Sequence, residues 1–103
     1  MAQAFRVYDL SIQLYHRITA LSLSGHLRVQ CLRAAASICQ NLREGSGRRT
    51  DPDRARFYRI ALASQREVGA IFHMEPPRDQ SLLDLHDHVG ACIFKACRTL
   101  ESR

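Results

Sequence analysis

Residues 30–67 decide the fold, and they read QCLRAAASICQNLREGSGRRTDPDRARFYRIALASQRE. An alanine-rich helical segment ends at Gly45, a loop rich in glycine and arginine follows, and a second helical segment with several arginines begins near Pro52. Thr50 or Asp51 can cap this second helix, and proline suits its first position. We therefore predict two helices joined by a short loop, with Gly45 in a left-handed conformation that stops the first.

Apolar residues outside this stretch recur at helical spacing and predict one helix before it and one after it. The predicted helices run from about Gln3 to Leu23, from His26 to Glu44, from Pro52 to His73, and from Asp79 or Ser81 to Leu100. No strand pattern competes with them. Because short connections favour antiparallel neighbours, we predict an all-α fold, an antiparallel up-down-up-down four-helix bundle that forms one domain over residues 1–103.

Each predicted helix has an apolar face that can contribute to one core. The first helix has two neighbouring apolar edges, so it needs two neighbours or one neighbour and another subunit. The predicted core positions are Phe5, Tyr8, Leu10, Ile12, Leu14, Tyr15, Ile18 and Leu21 in the first helix; Leu27, Cys31, Ala34, Ala35, Ile38 and Leu42 in the second; Phe57, Ala61, Ser64, Gln65, Val68, Ile71 and Phe72 in the third; and Leu82, Leu85, His86, Val89, Ile93, Ala96, Cys97 and Leu100 in the fourth.

A stripe of polar side chains runs beside the apolar face of the second helix, and we call it the polar seam. Its members step by three or four residues and so face one way: Gln30, Arg33, Ser37, Asn41 and Glu44. A carboxylate near a helix C-terminus is disfavoured by the helix dipole. We therefore expect Glu44 to pair with Arg48, Arg59 or Arg33, in a network that fixes the loop or a subunit contact, or else in a ligand site.

Arginines cluster in the loop and the third helix. The candidate nucleic-acid-binding residues are Arg43, Arg48, Arg49, Arg54, Arg56, Arg59 and Arg66. They outnumber the three nearby carboxylates, so a positive excess remains after pairing, and clustered cations are what phosphate contacts require. A solvated basic face would have the same pattern. Specific recognition of a single strand would also need exposed aromatic rings, whereas Phe57 and Tyr58 are at least partly needed for packing.

Fifteen basic and ten acidic residues give a net charge of +5, which is compatible with nucleic acid, anionic membrane surfaces or acidic proteins. We identify no catalytic residues, since no serine or cysteine has a histidine partner within a recognisable motif. Neither a metal site nor a phosphate-binding loop is predicted, and no cofactor is expected. The four cysteines are interpreted as buried apolar residues rather than a disulfide framework. Without an export signal or a membrane span, we expect a cytoplasmic protein with no membrane partner.

Three blocks within residues 30–67 together resemble a known family. They are QCLRAAASI over residues 30–38, NLREGSGR over residues 41–48, and FYRIALAS over residues 57–64 followed by Glu67. This order is similar to that of the bacterial four-helix bundle proteins of the 23S rRNA intervening-sequence type. The similarity is strong across these blocks, weak in the first helix, and limited to hydrophobic spacing in the fourth.

The resemblance implies a compact antiparallel bundle, often assembled as a ring-like homopentamer and encoded in some bacteria within insertions in 23S rRNA genes. Distant bundles of similar shape are accessory proteins of retroelements that bind nucleic acid and a reverse transcriptase, a role that transfers only by analogy. We expect a non-enzymatic oligomer that binds RNA or DNA through the arginine group. The alternative is a structural or protein-partner adaptor whose arginines pair across subunits.

Overall fold

The computed structural model describes the backbone of residues 2–103 and the side chains of residues 6–103. Its elements are α1 (Ala2–Thr19), α2 (Gly25–Ser46), α3 (Asp51–Met74) and α4 (Gln80–Glu101). Within residues 2–103 there is no strand, so the protein is all-α with four helices, as predicted. The predicted core position Phe5 lies outside the described side chains.

Side-chain caps set the beginnings of α3 and α4. The Thr50 hydroxyl oxygen accepts a hydrogen bond from the Asp53 backbone N–H at 3.3 Å, and a proline follows in the first turn of α3. The Asp79 carboxylate accepts from the Ser81 backbone N–H at 3.0 Å. Each cap satisfies an N–H group that has no partner within its own helix. The predicted starts of these two helices are therefore confirmed.

The first helix ends at Thr19, four residues before the predicted Leu23. The guanidinium of Arg28 donates to the backbone carbonyl oxygens of Thr19 at 2.9 Å and Leu21 at 2.7 Å, which satisfies acceptors at the end of the helix. Leu21 and Leu23 still pack against the core from the linker. The predicted end was wrong because the apolar pattern continues past the last helical turn.

The core lies between all four helices, and α1 and α3 each contact both α2 and α4. The contacts between α2 and α3 occur in opposite order along the two helices. Gly45 lies against Tyr58, while the Ser37 hydroxyl lies 2.8 Å from that of Ser64. This is the order expected for antiparallel neighbours. The core positions that are fully buried include Leu14, Ile18, Cys31, Ile38, Ala61, Val68, Val89, Ile93 and Cys97.

Gly45 does not stop α2 with a left-handed conformation, contrary to the prediction. None of the described residues has a positive φ angle, and α2 continues through Gly45 to Ser46. A Cβ atom on Gly45 would instead lie 2.6 Å from Cε1 of Tyr58. Glycine is needed here because the Tyr58 ring packs directly on the backbone of α2.

The buried aromatic residue at the start of α3 is Tyr58, not the predicted core position Phe57. Tyr58 is 5% exposed, and burial raises the pKa of its phenol. Phe57 is only half-buried. Adjacent residues differ by about 100° around a helix, so the two rings cannot face the core equally, and the orientation of α3 about its axis decides which one is buried.

A buried polar pair joins α3 to α4. The His86 Nε2–H donates to the Gln65 backbone carbonyl at 2.9 Å, and the Gln65 side-chain amide donates to the His86 carbonyl at 3.2 Å. A Cβ atom on Gly90 would lie 2.4 Å from the Gln65 amide nitrogen. The missing side chain at Gly90 thus leaves room for two polar residues whose burial requires hydrogen bonds.

Candidate nucleic-acid interface

The net positive charge of the protein is concentrated in one half of the folded chain. We define the cationic half as residues 2–10, 36–62 and 91–103, and the neutral half as residues 11–35 and 63–90. Contacts link the segments of the cationic half: the Arg43 guanidinium lies 6.0 Å from the centre of the Tyr8 ring, and Arg59 binds Glu101.

The two halves differ sharply in charge although they are similar in length. The cationic half holds ten basic and five acidic residues, whereas the neutral half holds five of each. All of the +5 excess is therefore in the cationic half. Its basic residues are Arg6, Arg43, Arg48, Arg49, Arg54, Arg56, Arg59, Lys95, Arg98 and Arg103.

Six of the seven predicted nucleic-acid-binding residues lie in the cationic half. The exception is Arg66, which is exposed on α3 within the neutral half. The structure adds four basic residues that sequence reasoning did not select: Arg6, Lys95, Arg98 and Arg103. They come from the two terminal helices and the C-terminal residue, and only the folded arrangement brings them beside the arginines of residues 30–67.

Carboxylates already pair with four of the predicted arginines. Arg48 lies 3.1 Å from Glu44 and 3.8 Å from Asp53, and Asp53 also binds Arg56 at 2.9 Å. The Arg54 guanidinium lies 3.6 Å from Asp51.

Arg59 makes the most complete of these pairs. Its Nε and Nη2 atoms donate to the two carboxylate oxygens of Glu101, which raises the pKa of Arg59 and lowers that of Glu101. Like the other pairs it is exposed to water, so it orients the side chains more than it stabilises the fold.

Four arginines of the cationic half have no such carboxylate partner. Among the described side chains, no carboxylate lies within 4.0 Å of Arg6, Arg43, Arg49 or Arg98. All four are exposed. Their charges are available to an anion without loss of an existing ion pair.

Guanidinium groups also lie over aromatic rings in this half. Arg48 and Arg56 lie 4.6 and 4.3 Å from the centre of the Phe57 ring. Arg98 lies 5.8 Å from the centre of the Phe94 ring, which is 41% exposed. The Phe94–Arg98 pair could have been recognised from its spacing of four residues on one helix, whereas the Arg43–Tyr8 contact has no local sequence signal.

Some side chains of the polar seam are exposed to solvent, and others lie at the contact between α2 and α3. Ser37 accepts a hydrogen bond from Ser64 of α3, and the Asn41 amide donates to the Ser37 carbonyl at 2.9 Å. Glu44 pairs with Arg48, one of its three predicted partners. Gln30 and Arg33 are exposed.

Two surface grooves open on the cationic half. A groove of about 490 Å³ is lined by Tyr8, Cys39, Gln40, Asn41, Arg43 and Glu44. A second groove of about 270 Å³ lies between α1 and α4 and is lined by Arg6, Val7, His88, Cys92, Lys95 and Ala96. The first groove has one cation, Arg43, beside the Glu44 carboxylate, whereas the second has two, Arg6 and Lys95.

The described residues hold no other obvious chemical centre. Within residues 6–103, no three histidine, cysteine, aspartate or glutamate side chains are close enough to hold a metal ion together. Across the described helices, none has the length and apolar character that crossing a membrane requires. All four cysteines are free thiols; Cys31, Cys39 and Cys97 are buried, and Cys92 is partly exposed.

Comparison with known proteins identifies the family of the chain. No curated protein and no solved structure is similar enough to count as a match. The family model described as "23S rRNA-intervening sequence protein" matches residues 3–76, which include α2, α3 and all but the first residue of α1. Because that match covers well over half of its residues, the chain belongs to the 23S rRNA-intervening sequence protein family.

Proposed function

We propose that this protein is a non-enzymatic, self-assembling nucleic-acid-binding module. In this proposal the four helices form an antiparallel up-down-up-down bundle, five copies assemble into a ring in the cytoplasm, and the cationic half contacts the phosphates of RNA or DNA. The observation that carries the binding proposal is the concentration of the whole +5 charge in one half. The family name refers to 23S rRNA, so RNA is the first probe to use.

A phosphate-binding surface predicts a steep dependence on salt. Each cation that neutralises a phosphate releases a counterion and contributes about 0.9 to the slope of log affinity against log salt concentration on duplex DNA, or about 0.7 on single strands. Fluorescence anisotropy with labelled RNA and DNA oligonucleotides of 20 nucleotides, between 50 and 200 mM salt, measures that slope. Absence of binding at 50 mM salt would contradict the proposal.

Two loop arginines provide matched variants that locate the surface. Arg49 lies in the loop between α2 and α3, and Arg78 lies in the loop between α3 and α4. Both are exposed, and reversing either changes the net charge equally. We expect Arg49→Glu to weaken binding about tenfold at 0.1 M salt and to lower the slope by about one, with little effect of Arg78→Glu. Equal losses in the two variants would place the surface elsewhere.

Exposed apolar side chains support self-assembly. Val29 on α2, Ile60 on α3 and Met74 at the end of α3 are 56%, 40% and 59% exposed. Such side chains are covered when copies of a chain associate. Size-exclusion chromatography with light scattering should give five times the 11.7 kDa mass of the chain. A monodisperse monomer at micromolar concentration would contradict assembly.

The paired arginines favour a second candidate function, a structural or protein-partner adaptor. Four of the predicted arginines already have carboxylate partners, and the same side chains could pair across subunits instead of binding phosphate. This candidate predicts an intact assembly that binds neither RNA nor DNA at 50 mM salt. Light scattering and anisotropy on one sample therefore distinguish the two functions.

A further inference from the structure

Three aromatic rings of the cationic half are each covered by at least one guanidinium group. Arg43 covers Tyr8, while Arg98 covers Phe94. The third ring, Phe57, is contacted by both Arg48 and Arg56. Attraction between a cation and the face of a ring favours this arrangement and restricts the side chain to one region of the surface.

In each of these three contacts, one arginine is also exposed to solvent. Arg43, Arg56 and Arg98 are exposed, and the Arg56 side chain retains 59% of its accessible surface. A guanidinium group is planar, so a side chain held on a ring can present its second face outward. Unpaired nucleic-acid bases stack on such planes, whereas the bases of a duplex already stack on one another.

We infer that the cationic half binds single-stranded nucleic acid, RNA or DNA, by stacking unpaired bases on Arg43, Arg56 and Arg98. The inference rests on the proposed function and specifies its ligand. Stacking on the arginines does not require a bare ring from Tyr58, which is buried, or from Phe57, which two arginines contact. The arginines provide the stacking surface that these aromatic residues do not.

The positions of the stacks determine the path of the strand. One stack joins α1 to α2, one is formed by α3 and the preceding loop, and one belongs to α4. A single strand that reaches all three must pass around the cationic half rather than lie along one helix. Flexible single strands can follow such a path, but a short duplex is too stiff to do so.

Arginine-to-lysine substitution separates stacking from charge. Lysine keeps the positive charge but has no planar group, so the triple variant R43K/R56K/R98K removes all three stacking surfaces without changing the net charge. We expect its affinity for a 20-nucleotide single strand to fall at least about tenfold, with the salt slope unchanged. Its affinity for a 20-base-pair duplex should remain that of the unaltered protein.

Two further variants test the geometry. Phe94→Leu removes the ring beneath Arg98 and keeps every charge, and it should weaken single-strand binding in the same direction as R98K alone. Arg78→Lys, in the neutral half, is the conservative control and should bind as the unaltered protein does. Circular dichroism and thermal unfolding test whether each variant is folded. If the triple variant is unfolded, the single substitutions R43K, R56K and R98K replace it.

The outcomes separate this inference from the proposed function. RNA and DNA single strands of one sequence are measured beside the matching duplexes. Loss of binding to either single strand in the triple variant, with duplex binding retained, supports the inference. Equal affinity of the unaltered protein for single strand and duplex, or unchanged binding by the triple variant, overturns it and leaves the proposed function intact. Binding to neither form overturns both.

Discussion

Gly45 shows how one residue controls the approach of two helices. The Tyr58 ring packs on the α2 backbone where any larger side chain would overlap it. The ring belongs to the buried core, so it cannot move away without disturbing its neighbours. Gly47, two residues later, has no comparable neighbour, since its nearest atoms would lie 3.7 Å from an added Cβ atom.

We predict that Gly45→Ala lowers the free energy of unfolding by about 1–2 kcal/mol. Overpacking costs about 1–3 kcal/mol, and the better helix propensity of alanine recovers part of that cost. Urea unfolding followed by circular dichroism measures the change. Gly47→Ala is the matched control and should alter stability by less than about 0.5 kcal/mol. If both variants are equally stable, the contact with Tyr58 is not limiting.

The four thiols should differ in reactivity because only Cys92 is partly exposed. Burial, together with the nearby Glu67 carboxylate, raises the pKa of Cys31 to about 11, and burial also raises the pKa values of Cys39 and Cys97. Since the thiolate is the reactive form, we predict that one thiol per chain reacts rapidly with iodoacetamide at pH 8. Mass spectrometry should locate the label on Cys92. The variant Cys92→Ser should abolish the rapid phase of labelling. Rapid labelling of Cys31 would contradict the prediction.

At the scale of the helices, the sequence predicted those helix boundaries that interactions between nearby residues determine. The starts of α3 and α4 follow from Thr50 and Asp79, whose caps involve residues close in sequence. The end of α1 did not follow, because Arg28 of the next helix satisfies its carbonyl oxygens. The choice between Phe57 and Tyr58 likewise depends on packing against α2, which no pattern within α3 reveals.

For the candidate site too, the sequence predicted the groups that are close along the chain but not those that only the fold brings together. Six of the arginines in residues 30–67 could be grouped because they are close in sequence, but the basic residues of α1 and α4 join them only in the folded chain. Pairs at a spacing of three or four residues, such as Arg48 with Glu44, follow a local pattern, but pairs between distant residues do not. The bond between Arg59 and Glu101 spans 42 residues.

One contact between elements makes stability depend on pH. The Ser24 backbone N–H donates to the Glu75 carboxylate at 3.0 Å, and the Ser24 hydroxyl donates to its second oxygen. This joins the beginning of α2 to the end of α3. These hydrogen bonds, the hydroxyl above all, lower the pKa of Glu75 below its ordinary 4.5. A lowered folded-state pKa means that the carboxylate stabilises the fold above about pH 4.5 and ceases to do so as the pH falls through the folded-state value.

We predict that Glu75→Gln is less stable than the unaltered protein at pH 7 and that the difference disappears at pH values below the folded-state pKa of Glu75. Urea unfolding between pH 7 and pH 3 measures the difference. Ser24→Ala keeps the carboxylate but removes the hydroxyl donor, so NMR titration should place the Glu75 pKa closer to 4.5 in that variant. A stability difference that does not change with pH would contradict the prediction.

At the scale of the whole molecule, assembly and stability should be linked. When association stabilises the folded state and not the unfolded state, higher protein concentration raises the melting temperature. If the proposed ring forms, we predict a rise of roughly 10 °C in Tm for a hundredfold increase in concentration. Differential scanning calorimetry at several concentrations checks this, and a constant Tm would indicate that the bundle unfolds as an independent monomer.

The unequal charge of the two halves also has a consequence for symmetry. A bundle with +5 in one half and no net charge in the other has an electric dipole along its length. Rotation about a cyclic axis preserves the component of each dipole along that axis, so these components add. A closed ring whose bundles run along its axis would therefore have two unlike faces, one attractive to polyanions and one indifferent to them. Dihedral symmetry would turn half of the copies over and cancel the dipole.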